Sequence, residues 1–370
     1  MIYGARLRQA REMALMTQAE LARETQIAQA HLSRAERDSY DLGPDRLTLL
    51  AAHLEFPTSF FSTPQVVDFG QRPVHFRSQA GMSMKQADQA TRTGEVVAEA
   101  VWRLETQFVG PPLRMPIAQQ DPVSAAASAR LALGLGQDEP VGGLPILLER
   151  MGVTVIGLPL RAMRRDAFSL WVGDKPVIAL LHTDAGDRQL WSTAHEVGHL
   201  LLHRGLPANR DIESSADEFA LQFLTPPSVL DSEMPAHPTM SDFALLKRRW
   251  GVSIAALIRL ARRLDRLTPE QYTSLFKQMS ARGERLRERT FIPPVKPRGL
   301  RAMAELAYGV APASGLAEEN QWSLRFTERV LERHARADEL PLKKLPARHV
   351  RGNVTNINAA RRARANRHSV

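Results

Sequence analysis

Apolar residues recur at helical spacing through the first sixth of the chain: Leu7, Ala10, Leu21, Ala22, Leu32, Ala35, Leu47, Leu50 and Leu54. That period predicts a compact set of short helices over residues 4–56. The stretch from Phe56 to Pro64, with two prolines, closes the unit, and residues 65–80 read as extended and irregular. Val97, Val101, Leu104 and Phe108 then predict one longer helix from about Ser83 to Phe108, stopped by Gly110, Pro111 and Pro112. It packs on a neighbour or links two domains.

A different rhythm starts near Pro116. Helices are expected over Val123–Leu133 and Ile146–Met151, then a β-branched strand over Val153–Leu158. Two apolar runs, FSLWV and PVIALL, flank Gly173 and Asp174 and predict a hairpin over Phe168–Leu181. Further helices are expected at about Leu190–His203, Ile212–Leu224, Asp242–Trp250, Ile254–Leu264 and Pro269–Arg282. A helix or two more is expected between Gly299 and Leu340. The fold class is therefore mainly α, α+β overall. The division expected is 1–62, a linker with a connecting helix over 63–115, a second domain over 116–292, and an extension over 293–370.

Composition narrows the classes. At 370 residues, two or three domains are expected. There is no cysteine, which excludes disulfides and thiolate metal sites and favours a reducing compartment. No apolar run follows the first arginines, so no signal peptide is expected, and no stretch approaches the roughly 18 apolar residues of a membrane helix. A cytoplasmic protein without membrane contact is the expectation. The net charge of +9 invites a nucleic-acid reading, but its placement weakens that inference. Residues 1–62 hold seven Arg against eight acids, whereas residues 341–370 hold eight Lys or Arg and no acid. The excess lies in a basic tail, expected to be disordered. It either adds non-specific phosphate affinity or is simply a solvated end.

The sharpest chemistry is His195-Glu196-Val197-Gly198-His199. On a helix, positions i and i+4 share a face, so both imidazoles can address one metal ion. Glu196, one residue on, can reach the attacking water as general base. Trp191, Ala194, Val197 and Leu201 would bury the other side. A catalytic zinc needs a third protein ligand and an open position. Glu213 supplies that ligand. Asp217, four residues further on the same helix face, can accept a hydrogen bond from a ligand imidazole and raise its basicity. The expected cofactor is Zn2+, one per chain. His203 is expected outside the ligand set and His182 to be structural. His182, His203, His237 and Tyr272 are all open as oxyanion partners. The competing readings are two histidines that merely pack, or a structural or inactive zinc.

At the N-terminus, Thr17-Gln18-Ala19-Glu20 reads as a capped helix start, Gln26 and Ile27 as a turn, and about Ala28–Arg37 as the next helix. That helix offers Gln29, Ala30, His31, Ser33 and Arg34 on its outer face, of which Gln and Arg can pair bidentately with base edges. Arg6, Arg8, Arg11 and Gln18 are candidates for phosphate contacts. A helical bundle used for protein contacts is the alternative.

Together, TQAELARET with IAQAHLSRAERD resembles the XRE-type, lambda-repressor-like helix-turn-helix. AHEVGHLLLH followed by IESSADEFALQFLTP resembles the ImmA/IrrE metallopeptidase family, as do Val74-His75-Phe76-Arg77, the hairpin, Arg188, and the segments SIAALIRLARRL and YTSLFKQMSARG. The resemblance covers roughly residues 4–295. It implies a lambda-repressor-like bundle fused to an α+β, gluzincin-like endopeptidase domain, with His195, His199 and Glu213 as zinc ligands and Glu196 catalytic. It further implies a regulator that binds a double-stranded DNA operator as a homodimer and cleaves a repressor, an antitoxin-like partner or itself. The alternative is a transcription factor whose second domain senses a ligand without cleaving anything. Two departures stand out: the turn carries Gln26 where the family has Gly, and the recognition helix starts at Ala28 where the family has Ser or Thr, at a cost of about 1 kcal/mol.

Overall fold

The computed structural model describes residues 2–70, 83–108, 110–116, 121–161, 166–206, 209–284 and 288–336. The Val74–Arg77 segment and the basic tail, both singled out in the sequence, lie outside them. Among the described residues the chain forms seventeen α-helices and three strands, so the fold is mainly α with a small β component. The chain divides into two units.

The first unit contains the described residues of Met1–Pro111, Thr154–Leu160 and Lys296–Val370. It begins with α1 (Gly4–Met13), α2 (Gln18–Thr25), α3 (Gln29–Ala35), α4 (Pro44–His53) and α5 (Thr58–Phe61). Leu7, Leu21, Leu32, Leu50, Phe60 and Phe61 form its core, each no more than 1% exposed. Helix α2 starts as its residues dictate: the Glu20 N–H donates to Thr17 Oγ1 at 3.1 Å, and the Thr17 N–H to the Glu20 carboxylate at 2.7 Å. It ends at Gln26, whose φ of 56° is left-handed. Gly usually takes this conformation, because Cβ crowds the backbone there.

Helix α6 (Met84–Glu105) follows, with Ser83 and Gln86 closing a capping box at its start. It packs on α1 through a polar layer. Arg6 ion-pairs with Glu99 at 2.6 Å, Gln9 donates to Glu95 at 2.8 Å, and Arg92 bonds Glu12 at 2.8 Å. Burial pushes the Glu95 carboxyl up, against the opposing pull of Arg92 and Gln9. Strand β1 (Thr154–Arg161) is buried over its first five residues. The C-terminal segment folds into three helices where one or two were expected: α15 (Gly299–Tyr308), α16 (Pro312–Asn320) and α17 (Leu324–Leu331). Left-handed residues at Gly309 and Gln321 break what could otherwise read as a longer helix. Phe326 of α17 meets Phe56 with ring centroids 5.4 Å apart. His334 is fully buried between the Gly157 N–H, which donates to Nε2 at 3.2 Å, and the Val330 carbonyl, 2.9 Å from Nδ1.

The second unit contains the described residues of Pro112–Val153 and Arg161–Val295. Its helices are α7 (Pro122–Leu133), α8 (Leu144–Arg150), α9 (Gly186–Leu202), α10 (Arg210–Leu224), α11 (Pro227–Glu233), α12 (Met240–Trp250), α13 (Ile254–Arg263) and α14 (Pro269–Ala281). The expected hairpin is present: β2 (Ala167–Val172) and β3 (Lys175–His182) run antiparallel with Val172 opposite Lys175 and Ala167 opposite Leu180. Gly173 turns the chain at φ 58°. Helix α11 was not expected. It has seven residues and only Leu230 is buried, too little for a period to register.

Helices α9 and α10 are the close-packed heart of this unit. Phe219 and Phe223 of α10 are fully buried, each contributing about 3 kcal/mol of transfer free energy at most. Gly198 makes the approach possible: a Cβ there would lie 3.0–3.2 Å from the Phe219 side chain. On another side, β2 lies on α9, where Trp171 Nε1 donates to the Leu200 carbonyl at 3.1 Å.

Candidate metal centre and nucleic-acid interface

Helix α9 begins at Gly186, four residues before the expected start, and carries His195 and His199 one turn apart on its buried face. Asn209 caps α10 by accepting the Ile212 N–H at 2.9 Å, which sets Glu213 in the first turn. The two helices bring His195, His199 and Glu213 together, with one donor atom of each lying within 4.8 Å of the others. His195 Nε2 and His199 Nε2 are 3.0 Å apart, and each is 3.6 Å from a Glu213 oxygen. Ligands on a tetrahedral zinc at ordinary bond lengths sit about 3.3 Å from one another.

The hydrogen atoms around this cluster can be assigned from the network. Ser215 Oγ donates to the Ile212 carbonyl at 3.1 Å, so it accepts from His203 Nε2 at 2.7 Å. His203 Nδ1 is then the acceptor for His199 Nδ1, 3.0 Å away. His199 therefore carries its proton on Nδ1 and turns a lone pair from Nε2 toward the centre. His195 Nδ1 lies 2.8 Å from Asp217 Oδ1 and donates to it, which frees its Nε2 in the same sense. Two lone pairs and a carboxylate thus converge on one point, an arrangement that could hold a metal ion. Burial opposes the charged imidazole, but the hydrogen bonds to Asp217 and Glu213 and the charge of Glu196 outweigh it, raising His195 to about 9.

Glu196 is 1% exposed, and Ser169 Oγ of β2 donates to its Oε2 at 2.6 Å. Ser169, Ser215 and the link through His203 were not read from the sequence. The available signal was a lone hydroxyl in the apolar run FSLWV, which alternation alone cannot assign a task. Of the other candidates, His182 lies 3.8 Å from Asp184, His237 is exposed, and Tyr272 packs edge-on against Phe276.

In the first unit, Gln29, Ala30 and Arg34 are exposed on α3, with His31 and Ser33 half-buried. His31 stacks on Tyr40 with centroids 4.5 Å apart, and the Arg34 guanidinium lies 5.1 Å from the centre of the same ring. Arg46 bonds the Tyr40 hydroxyl at 2.8 Å. Gln18 is half-buried and donates to Glu36 at 2.8 Å. Two expectations are corrected. Arg6 and Arg11 are 2% and 8% exposed and are consumed by Glu99 and Glu36, so they are structural cations and not phosphate contacts. Arg8 remains half-exposed, 3.7 Å from Glu36.

Comparison with known families agrees with this division of labour. Residues 7–61 match the helix-turn-helix family model, and residues 148–261 match that of the IrrE N-terminal-like domain. No curated protein matches the chain. The chain is thus a fusion of an XRE-type helix-turn-helix DNA-binding domain with a metallopeptidase-like domain of the IrrE/ImmA kind. Among the described residues, no helix is long and apolar enough to cross a membrane.

Proposed function

We propose that this protein is a cytoplasmic transcription regulator that binds an operator as a homodimer through residues 1–62 and hydrolyses a peptide bond through a zinc site within residues 116–292. The protein substrate would be a repressor, an antitoxin-like partner or the chain itself. One observation supports the enzymatic reading: both imidazole Nδ1 atoms have partners of their own, and both Nε2 atoms and the Glu213 carboxylate come together within 4.8 Å beside a buried Glu196. His195, His199 and Glu213 would hold one zinc ion per chain. When bound, zinc supplies a Lewis acid to the substrate carbonyl and acidifies water. Glu196 takes the proton from the attacking water and returns it to the leaving amine. Ser169 holds one oxygen of that carboxylate in place. Asp217 fixes the His195 ring.

On the DNA side, Gln29 and Arg34 would read base edges, with Ala30, His31 and Ser33 beside them and Gln18 near a phosphate at the start of α2. The basis is the helix-turn-helix family match together with the exposure of that face.

Elemental analysis of the purified protein tests the metal. We expect about one zinc per chain, lost or greatly weakened in Glu213→Ala. Glu196→Gln is expected to keep its zinc and lose hydrolysis. An apo protein that stays metal-free after zinc is supplied overturns the reading, and hydrolysis retained by Glu196→Gln overturns the role of that residue.

A further inference from the structure

The second unit contains a cavity of about 1080 Å³, bordered by α9, α10, α13 and the segment around Phe291. That is at the upper end of the range for small-molecule sites. Its apolar wall includes Trp191, Leu221, Ala256 and Phe291, and Phe291 is 63% exposed, unusual for so large an apolar ring. Its polar wall is almost fully committed. Arg188 is paired with Asp166 at 2.5 Å and Arg263 with Glu218 at 2.6 Å. Lys247 is held between Asp187 at 2.6 Å and Glu288 at 2.7 Å. The acids are engaged as well: Asp217 with His195 at 2.8 Å, and Asp184 within 3.9 Å of Arg161 and His182.

Arg259 is the exception. It lines the cavity and has no carboxylate partner among the described residues. Its guanidinium lies 5.6 Å from the centroid of the Phe276 ring. A guanidinium left over in a pocket with an apolar wall is matched by a carboxylate on an apolar body.

We propose that this cavity binds a small amphipathic carboxylate, an aryl or fatty acid, with its head on Arg259 and its body against Trp191, Leu221 and Phe291. The site is distinct from the metal cluster, since His195, His199 and Glu213 do not line it. Asp217 belongs to both: it borders the cavity and it holds His195 Nδ1. An occupant that shifts Asp217 therefore changes zinc affinity, and zinc changes the occupant's affinity by the same factor. This coupling rests on the metal reading; carboxylate binding does not. It is also the observation that favours a sensing role for this domain over a purely hydrolytic one.

The test uses pyrenebutyrate and its uncharged analogue pyrenebutanol on the full-length, metal-free protein, read by energy transfer from tryptophan. The expected result is saturable binding of one pyrenebutyrate per chain, weakened about ten-fold or more by Arg259→Gln. Pyrenebutanol binding should be unchanged by that substitution and weakened by Phe291→Ala. Thermal melts confirm that both variants fold. Absence of saturable binding overturns the proposal, as does binding that Arg259→Gln leaves intact. A zinc titration with and without pyrenebutyrate then tests the coupling. Equal zinc affinities overturn the link through Asp217. A protein that takes up no zinc overturns the metal reading, while the carboxylate result stands or falls on Arg259 alone.

Discussion

The metal cluster and the helix-turn-helix use the same residue types in opposite ways. In the cluster, side chains only one helical turn apart serve one site: His195 and His199 converge with Glu213, and Asp217, one turn beyond Glu213, holds the His195 ring from behind. In the N-terminal bundle, two arginines of the same short helix, α1, diverge. Arg6 reaches Glu99, 93 residues away, and Arg11 reaches Glu36, 25 residues away. Short-range spacing announces a site. Long-range pairing hides inside what looks like a solvent-facing basic helix. A row of arginines is therefore weak evidence for nucleic acid until the partners of each are known.

The largest effect that separates the two uses is on stability. Arg6→Ala leaves Glu99 buried with Arg103, 2.6 Å away, as its one remaining cation among the described residues, and with one carboxylate oxygen already lacking a partner there. Breaking a buried pair in this way costs about 3–5 kcal/mol. Arg103 retains part of the interaction, so the lower end is expected in urea denaturation. Arg34→Ala, on the exposed face of α3, should change stability by less than about 0.5 kcal/mol and weaken binding to DNA instead. If Arg6→Ala weakened DNA binding with stability untouched, the contrast would be gone and Arg6 would be a phosphate contact after all.

This contrast also measures what could be read from the chain. The two family domains, the hairpin, the capping box at Thr17 and the long helix from Ser83 all follow from local signals: a period, a cap, a turn. So does the grouping of His195, His199 and Glu213, because one helix face and one following helix suffice to make it. What stayed hidden depends on contacts between distant segments. Ser169 reaches Glu196 across 27 residues, and His203 gains its meaning from Ser215 on the next helix. The C-terminal helices were expected as one or two rather than three, because what divides them is the positive-φ backbone at Gly309 and Gln321 and not a change of period.

His334 carries the largest pH effect on the long-range side. Its Nε2 accepts a hydrogen bond from Gly157, 177 residues earlier, and its protonation is opposed first by burial and then by Arg301, Arg333 and Lys296. Together these lower it from 6.5 to about 4. The folded state binds fewer protons here than the unfolded chain. The contribution is fully present above pH 6.5 and is lost as pH falls from there to about 4. The shift corresponds to on the order of 3 kcal/mol. Carboxylates titrate in the same window, so the measurement is the stability of wild type minus that of His334→Gln across this range. A difference that does not shrink with acid would show that burial of His334 does not control it.

A smaller effect belongs to the local side. Asp217 orients His195 from an exposed position, 60% accessible, so its hydrogen bond competes with water. Asp217→Ala should reduce zinc affinity by about 10-fold to 100-fold, toward the lower value, and Asp217→Asn should restore part of it because the amide oxygen can still accept from Nδ1. Equal affinities in wild type and Asp217→Ala would mean that packing around Phe219 alone sets the ring.

The smallest effect tests whether a purely local rule survives tertiary context. Gln26 adopts φ 56° at the end of α2, where a side chain is strained by about 1 kcal/mol relative to Gly. Its amide partly compensates by donating to the Arg23 carbonyl at 2.7 Å. Gln26→Gly removes the strain, loses that exposed bond and adds entropy to the unfolded chain. The balance favours Gly by a few tenths to about 1 kcal/mol, visible as a small rise in the melting temperature with DNA affinity unchanged. A destabilised Gln26→Gly would mean that the side-chain bond to Arg23 outweighs the backbone strain. The turn would then be held by a contact of its own residue rather than by the backbone preference that a glycine would satisfy.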